Sequence, residues 1–138
     1  MLTLDKKLWD SDRIIKIRSS SNWSGSDTEV LLNCTLNEIE ELLDQCIKEN
    51  KKCIWIIDCV KGDAPSIYYL SKITFRFLSM KEKLTKGLHF TLLYCMTTSY
   101  STLLNTVLAI YTPARPIYVV KSKDEIKEHI DNKHKYDT

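Results

Sequence analysis

Residues 53–58, CIWIID, are the stretch that most limits how this chain can fold. The run is nearly all apolar, which is typical of a strand whose two faces are both covered. A helical pattern follows it, then a second apolar run at 88–95 (LHFTLLYC) and another helical pattern. Buried strands that alternate with helical segments predict right-handed crossovers and a mostly parallel sheet, with helices on both of its faces.

The other periodicities complete an α/β fold of order β-β-α-β-α-β-α-β-α, with about five strands and about four helices. We predict strands at 13–18, 29–34, 53–58, 88–95 and 116–121, and helices at 35–50, 66–86, 99–111 and 123–130. The 138 residues form one domain, 1–138, in which 1–12 and 131–138 are expected to be frayed and 19–28 to be a loop.

Local signals mark several helix ends. Thr35 with Glu38 matches a capping box, and Ser122 with Glu125 matches a second one. Gly87 suits the end of the helix predicted at 66–86.

Composition excludes several classes of protein. The net charge is only +2, from 20 basic and 18 acidic residues, which argues against a nucleic-acid binder. No apolar run approaches the roughly 18 residues of a membrane span, and no signal peptide is evident. The five cysteines contain no Cys-x-x-Cys pair, which favours reduced, mostly buried thiols and a cytoplasmic protein without structural zinc.

The candidate site is predicted where two strands end in polar residues. In open α/β sheets, ligands bind beyond the carboxyl ends of the strands. If the strands 53–58 and 88–95 are neighbours, the polar residues that follow them would ring one crevice. These residues are Asp58, Asp63, Ser66, Thr97, Thr98 and Ser99.

Each of these residues also has a purely structural interpretation. Asp58 can hydrogen-bond the loop that follows it, and Asp63 and Thr98 are good helix N-caps. Ser66 suits a helix start, where a phosphoryl group would meet the positive end of the helix dipole. Both interpretations stay open for all of these residues.

Catalytic patterns are thin. No Gly-x-Ser-x-Gly elbow and no Gly-rich phosphate loop occurs, and His89 lies inside a predicted strand. Metal-dependent hydrolysis by Asp58 and Asp63 is the one enzymatic alternative. We therefore expect a non-enzymatic protein without a cofactor or a metal.

The stretch from CIWIID to KDEIKEHI, roughly residues 53–130, resembles the STAS domain, the sulphate-transporter and anti-sigma-factor-antagonist module. The resemblance implies a regulatory module that binds another protein and is switched by phosphorylation of a serine at the helix start, here Ser66. The family motif is Asp-Ser-Ser/Thr-Gly, and this chain has Ala-Pro-Ser-Ile at that place. The loop YCMTTSYSTLL also resembles that of a related bacterial phosphoregulatory family, in which Thr97 would be the switch.

Two further hypotheses concern ligands and partners. The lipid-binding CRAL-TRIO fold shares the same order of strands and helices, so a small carrier of apolar ligands is the alternative function. Trp9, Trp23 and Tyr68 can support a homodimer if they are exposed.

Overall fold

A computed structural model describes residues 2–5, 13–19, 23–60, 65–95, 105 and 113–136. The described strands form one five-stranded sheet in chain order, from β1 to β5. They are β1 (Leu2–Asp5), β2 (Ile14–Ser19), β3 (Cys53–Asp58), β4 (Leu88–Tyr94) and β5 (Ile117–Val120). β1 runs antiparallel to β2 and all other neighbours are parallel, so the predicted mostly parallel α/β sheet is confirmed.

Four α-helices are described: α1 (Thr28–Lys48), α2 (Ile67–Ser79), α3 (Lys81–Gly87) and α4 (Lys123–Asp131). A short 3₁₀ helix, Lys133–Tyr136, follows α4. The helix predicted at 99–111 lies outside the described residues, apart from Asn105.

Helices cover both faces of the sheet, as predicted. One face, which we call the α1 face, carries Ile15, Ile17 and Trp55 and packs against α1, α2 and α3. The opposite face, the α4 face, carries a second cluster around Phe90, against which two half-buried isoleucines of α4 pack. The central strands β3 and β4 are apolar on both sides because each of their faces belongs to a core.

The predicted strand at 29–34 is wrong, because these residues form the first turns of α1. Thr28, Leu32 and Leu36 are buried at helical spacing, whereas Val30 and Leu31 are exposed. The capping box at Thr35 is wrong for the same reason. Its hydroxyl donates to the Leu31 carbonyl at 3.0 Å, as a threonine inside a helix does.

The expectation of frayed ends is wrong for the described parts. Residues 2–5 form β1, which pairs with β2 along its whole length, and Leu4 packs against the α1-face core. Residues 131–136 complete α4 and form the 3₁₀ helix. The loop expected at 19–28 is shorter, because Ser19 ends β2 and Thr28 begins α1.

The helix predicted at 66–86 is divided in two at Met80, and the second piece, α3, ends at Gly87 as expected. The second capping box is present: Ser122 accepts from the Glu125 amide at 3.2 Å, and the Glu125 carboxylate accepts from the Lys121 amide at 3.0 Å.

The carboxylate of Glu40 joins three helices. It lies 2.7 Å from the Arg76 guanidinium of α2 and 2.6 Å from the Lys83 ammonium of α3. The Arg76 guanidinium also donates to Asn37 of α1 at 2.7 Å. Hydrogen bonds from Lys83 and then Arg76 lower the pKa of Glu40 below 4.5, against a smaller opposing effect of burial.

Replacement of Glu40 by glutamine is expected to lower the free energy of unfolding by about 1 kcal/mol at neutral pH, as is typical of a partly exposed charge network. Because the pKa of Glu40 is depressed in the folded chain, its stabilisation is complete above the unfolded value of 4.5 and is lost as the pH falls through the folded value. Denaturation by urea between neutral pH and pH 3 would measure this. The difference between wild type and Glu40→Gln should shrink below about pH 4.

The matched control is Glu41→Gln, which alters an exposed residue of the same helix. Equal destabilisation by both substitutions, or a Glu40→Gln effect that does not change with pH, would contradict the assignment.

Candidate functional site

The two polar loops of the candidate site begin at the same edge of the sheet. β3 and β4 are neighbours, with Asp58 in register with Tyr94, and the Cys59 amide donates to the Tyr94 carbonyl at 2.9 Å. The condition for a shared crevice is therefore met. Of the residues predicted to ring it, Asp58 and Ser66 are described, whereas Asp63, Thr97, Thr98 and Ser99 lie outside the described residues.

Asp58 is held by two contacts. One carboxylate oxygen accepts from the Val60 amide at 3.1 Å, which fixes the first turn of the loop. The other lies 3.4 Å from the Lys16 ammonium of β2. Side chains alternate along a strand, so Asp58 lies on the α4 face with Ile56, whereas Trp55 faces α1 and α2. The structure thus places the Asp58 carboxylate on the face of the sheet opposite α2.

Ser66 is the N-cap of α2. Its backbone is extended, its hydroxyl oxygen accepts from the Tyr69 amide at 3.5 Å, and its carbonyl accepts from the Leu70 amide at 2.9 Å. The side chain is exposed, and the first turn of α2 holds no acidic residue. A phosphoryl group on this hydroxyl would meet the open amides and the positive end of the helix dipole.

The inner side of α2 is packed against the core. Tyr69, Ile73 and Phe77 are spaced by four residues and contact the α1-face cluster. The Tyr69 ring lies 5.7 Å from that of Trp23, and the Phe77 ring lies 5.5 Å from that of Trp55. The helical stripe that motivated the lipid-carrier hypothesis is thus in contact with protein side chains.

A second apolar stripe runs along the outer side of the same helix. Ile67 is 77% exposed and Phe75 is 70% exposed, and Tyr68 and Leu78 are also exposed. None of the 13 residues of α2 is fully buried. We call the residues Ile67, Tyr68, Phe75 and Leu78 the α2 stripe. Sequence analysis missed it, because apolar residues occur on every side of this helix.

The N-terminal end of the α2 stripe is fixed to α1. The Lys72 ammonium lies 2.7 Å from the Glu29 carboxylate and 5.1 Å from the centre of the Tyr68 ring. The Tyr68 hydroxyl donates to Glu29 at 3.3 Å. These contacts hold the first turns of α2 in place although the stripe itself is exposed. The hydrogen bond with Lys72 lowers the pKa of Glu29 and raises the pKa of Lys72.

Other candidate chemistry is limited in the part of the chain that the structure describes. His89 is buried within β4, as expected of a core histidine. The described ranges contain no cluster of three or more histidine, cysteine or acidic residues that could hold a metal ion. Among the described helices, none is long and apolar enough to cross a membrane.

Comparison with known proteins identifies the fold. No protein-family model matches the sequence, and no curated protein does. A solved structure of an uncharacterized protein of the DUF3478 family from Shewanella loihica PV-4, described as having a SpoIIAA-like fold, matches with a TM-score of 0.51. The two chains are 10% identical, and the match covers 94% of this chain and 92% of the other. The predicted STAS-like fold, that of anti-sigma-factor antagonists, is confirmed.

Proposed function

We propose that this chain, which has a SpoIIAA-like fold, is a non-enzymatic regulatory module that binds another protein through the α2 stripe. We further propose that phosphorylation of Ser66 controls this binding. The single observation that carries the proposal is the continuous exposure of large apolar side chains along α2, beginning at the capped Ser66.

The chemistry of the α2 stripe fits a protein partner. Scattered apolar residues are normal on a surface, but contiguous large ones that are bordered by charged residues mark interaction sites. The stripe offers two aromatic and two aliphatic side chains, and aromatic residues are enriched at the centres of interfaces. The salt bridge between Glu29 and Lys72 borders the stripe and supplies a polar rim.

The position of Ser66 suits a switch. The residue directly precedes Ile67, the most exposed member of the stripe. A phosphoryl group would add nearly two negative charges beside an apolar contact surface, at a cost in desolvation when a partner binds. The same group would be stabilised in the free protein by the amides at the start of α2, so it would favour the unbound state.

A non-enzymatic role is consistent with the contacts of Asp58. A general base or a metal ligand needs a carboxylate that faces a substrate site, but Asp58 is engaged by Lys16 and by the backbone of its own loop. The hydrolytic hypothesis also requires Asp63, which lies outside the described residues.

The proposal is tested by measuring partner binding with charge variants of α2. A partner is first captured from extract of the source cells with the wild-type chain, and its affinity is then measured by calorimetry. We expect Phe75→Asp to abolish measurable binding, because it places a charge at the centre of the stripe. Ser66→Asp should weaken binding about tenfold, which corresponds to about 1.4 kcal/mol.

The matched control for Ser66→Asp is Ser122→Asp. Ser122 is also an N-cap whose hydroxyl accepts from the third residue of its helix, but it starts α4 on the opposite face of the sheet. Ser122→Asp should leave affinity unchanged. Unaltered binding by Phe75→Asp would refute the proposed surface, and equal effects of the two serine variants would refute the switch.

Intact-mass and phosphopeptide analysis of the chain from its own cells tests the switch directly, with phosphate on Ser66 as the expected result. Sedimentation of the purified chain shows whether a second copy occupies the α2 stripe instead. In that case, Phe75→Asp would convert a dimer into a monomer.

A further inference from the structure

Two buried cysteines meet at the amino-terminal edge of the sheet, away from Ser66. Cys46 is in the last turns of α1 and Cys53 is the first residue of β3, and both side chains are fully buried in the α1-face core. Their side chains are hydrogen-bonded to each other, and both thiols are free.

The connection between the two cysteines is a well-defined turn. The Lys51 amide donates to the Cys46 carbonyl at 2.8 Å, and the Asn50 amide donates to the Ile47 carbonyl at 3.1 Å. Asn50 has a φ of 55°, so the turn is a Schellman motif that ends α1. Residues 48–52 are exposed. The buried pair therefore lies beneath one solvent-facing turn, which needs to open only locally to admit a small oxidant.

The two thiols are electrostatically unequal. The hydrogen bond from Cys53 holds the pKa of Cys46 below its usual value in spite of burial, and the charges of Arg13 and Lys51 act in the same direction. The hydrogen bond to Cys46, together with burial, raises the pKa of Cys53. Cys46 is thus the nucleophile of the pair, and Cys53 is the protonated thiol beside it.

A third group belongs to the same cluster. Trp55 lies two residues after Cys53 on the same face of β3, and its indole nitrogen interacts with the Cys53 sulfur. Although this N–H is buried, it has no hydrogen-bond partner within the described ranges. It is thus a donor directed toward a thiol and able to stabilise negative charge on that sulfur.

From this cluster we infer that Cys46 and Cys53 form an oxidative modification site that reacts with hydroperoxides and closes reversibly to a disulfide. In the first step, the Cys46 thiolate attacks one peroxide oxygen, the O–O bond breaks, and a sulfenic acid and hydroxide are formed. In the second step, the sulfur of Cys53 attacks the Cys46 sulfur. The S–S bond forms, and the hydroxyl group leaves with the proton of Cys53 as water. The hydroperoxide is reduced, both sulfurs are oxidised, and an external dithiol reverses the reaction.

The chain contains a second close pair that serves as an internal comparison. Cys59 and Cys95 directly follow Asp58 and Tyr94, which are in register on β3 and β4, and both cysteines are buried in one small apolar cluster. Burial first, then the proximity of Cys95 and Asp58, raises the pKa of Cys59 to about 12. Proximity alone would oxidise this pair too, whereas our inference requires it to stay reduced.

The experiment is graded oxidation of the native full-length chain with hydrogen peroxide. Remaining thiols are alkylated after unfolding, and disulfides are mapped by mass spectrometry of a non-reduced digest. The expected result is loss of two of the five thiols, a Cys46–Cys53 linkage, and alkylated Cys59 and Cys95. A dithiol reductant should restore all five thiols. Linkage of Cys59 to Cys95 first, or linkages only between chains through the exposed Cys34, would overturn the inference.

Two variants separate the steps. Cys53→Ser keeps a hydroxyl donor beside Cys46 but removes the second sulfur, so a 1,3-diketone probe should trap sulfenic acid on Cys46 without a disulfide. Arg13→Met should shift the pH midpoint of Cys46 oxidation upward, and Arg13→Lys should restore it. Absence of trapped sulfenic acid in Cys53→Ser, with a native circular-dichroism spectrum, would also overturn the inference.

Discussion

Replacement of Phe90 by alanine is expected to lower the free energy of unfolding by about 3–5 kcal/mol, the range for deletion of a fully buried aromatic side chain. Phe90 is 0% exposed and is the largest fully buried side chain of the α4-face cluster. Its ring lies 6.3 Å from that of Tyr118 and 6.5 Å from that of His129 of α4. Because α4 has no fully buried residue of its own, its attachment to the sheet depends on this contact.

The matched control is Phe75→Ala, which removes the same atoms from a side chain that is 70% exposed. Its cost should be below about 0.5 kcal/mol, because little packing is lost. Chemical denaturation followed by circular dichroism measures both values. Similar costs for the two substitutions would mean that the α2 stripe is not an open surface, and would contradict both the packing of α4 and the proposed binding surface.

The central strands could be predicted from sequence because their burial leaves a continuous apolar run. β3 and β4 have helices on both faces, and the runs at 53–58 and 88–95 coincide with them almost residue for residue. β1 could not be recognised in this way. It is only four residues long, and its register with β2 depends on contacts between segments that are distant in sequence.

The stretch 29–34 misled the analysis for a related reason. Glu-Val-Leu-Leu-Asn-Cys is a short apolar run, and such a run does not distinguish a strand from a helix. The buried residues Thr28, Leu32 and Leu36 show that the helical period already begins before it. Their inward positions are set by packing on the sheet, which a local pattern does not contain.

The candidate site was predictable in its location and only partly in its geometry. The position of Ser66 as an N-cap follows from its residue type and from the helical pattern after it. The α2 stripe does not, because Tyr69 and Phe77 are as apolar as Tyr68 and Phe75. The stacking of Tyr69 and Phe77 on Trp23 and Trp55 decides which side is buried. The direction of Asp58 depends on which face each helix covers, and the sequence does not specify this.

The second large effect is expected at Gly87, where α3 approaches α1. A Cβ atom added to Gly87 would lie 2.7 Å from Leu43 Cδ1, 3.0 Å from Ile47 Cγ1 and 3.3 Å from the Leu43 carbonyl oxygen. Its backbone is outside the left-handed region, so the requirement for glycine is one of space. Gly87→Ala should therefore destabilise the chain by about 1–3 kcal/mol, the usual cost of overpacking a core.

A double-mutant cycle with Leu43→Val identifies the cause. Valine lacks the Cδ1 atom that would collide with the new methyl group, so it should relieve part of the overlap. We expect Gly87→Ala and Leu43→Val each to destabilise the chain alone, and the double variant to lose less stability than their sum by about 0.5–1 kcal/mol. Additive costs would place the strain at the Leu43 carbonyl or at Ile47 instead. No cost for Gly87→Ala would show that α3 can move away from α1, and that the salt bridges of Glu40 do not hold these helices at a fixed distance.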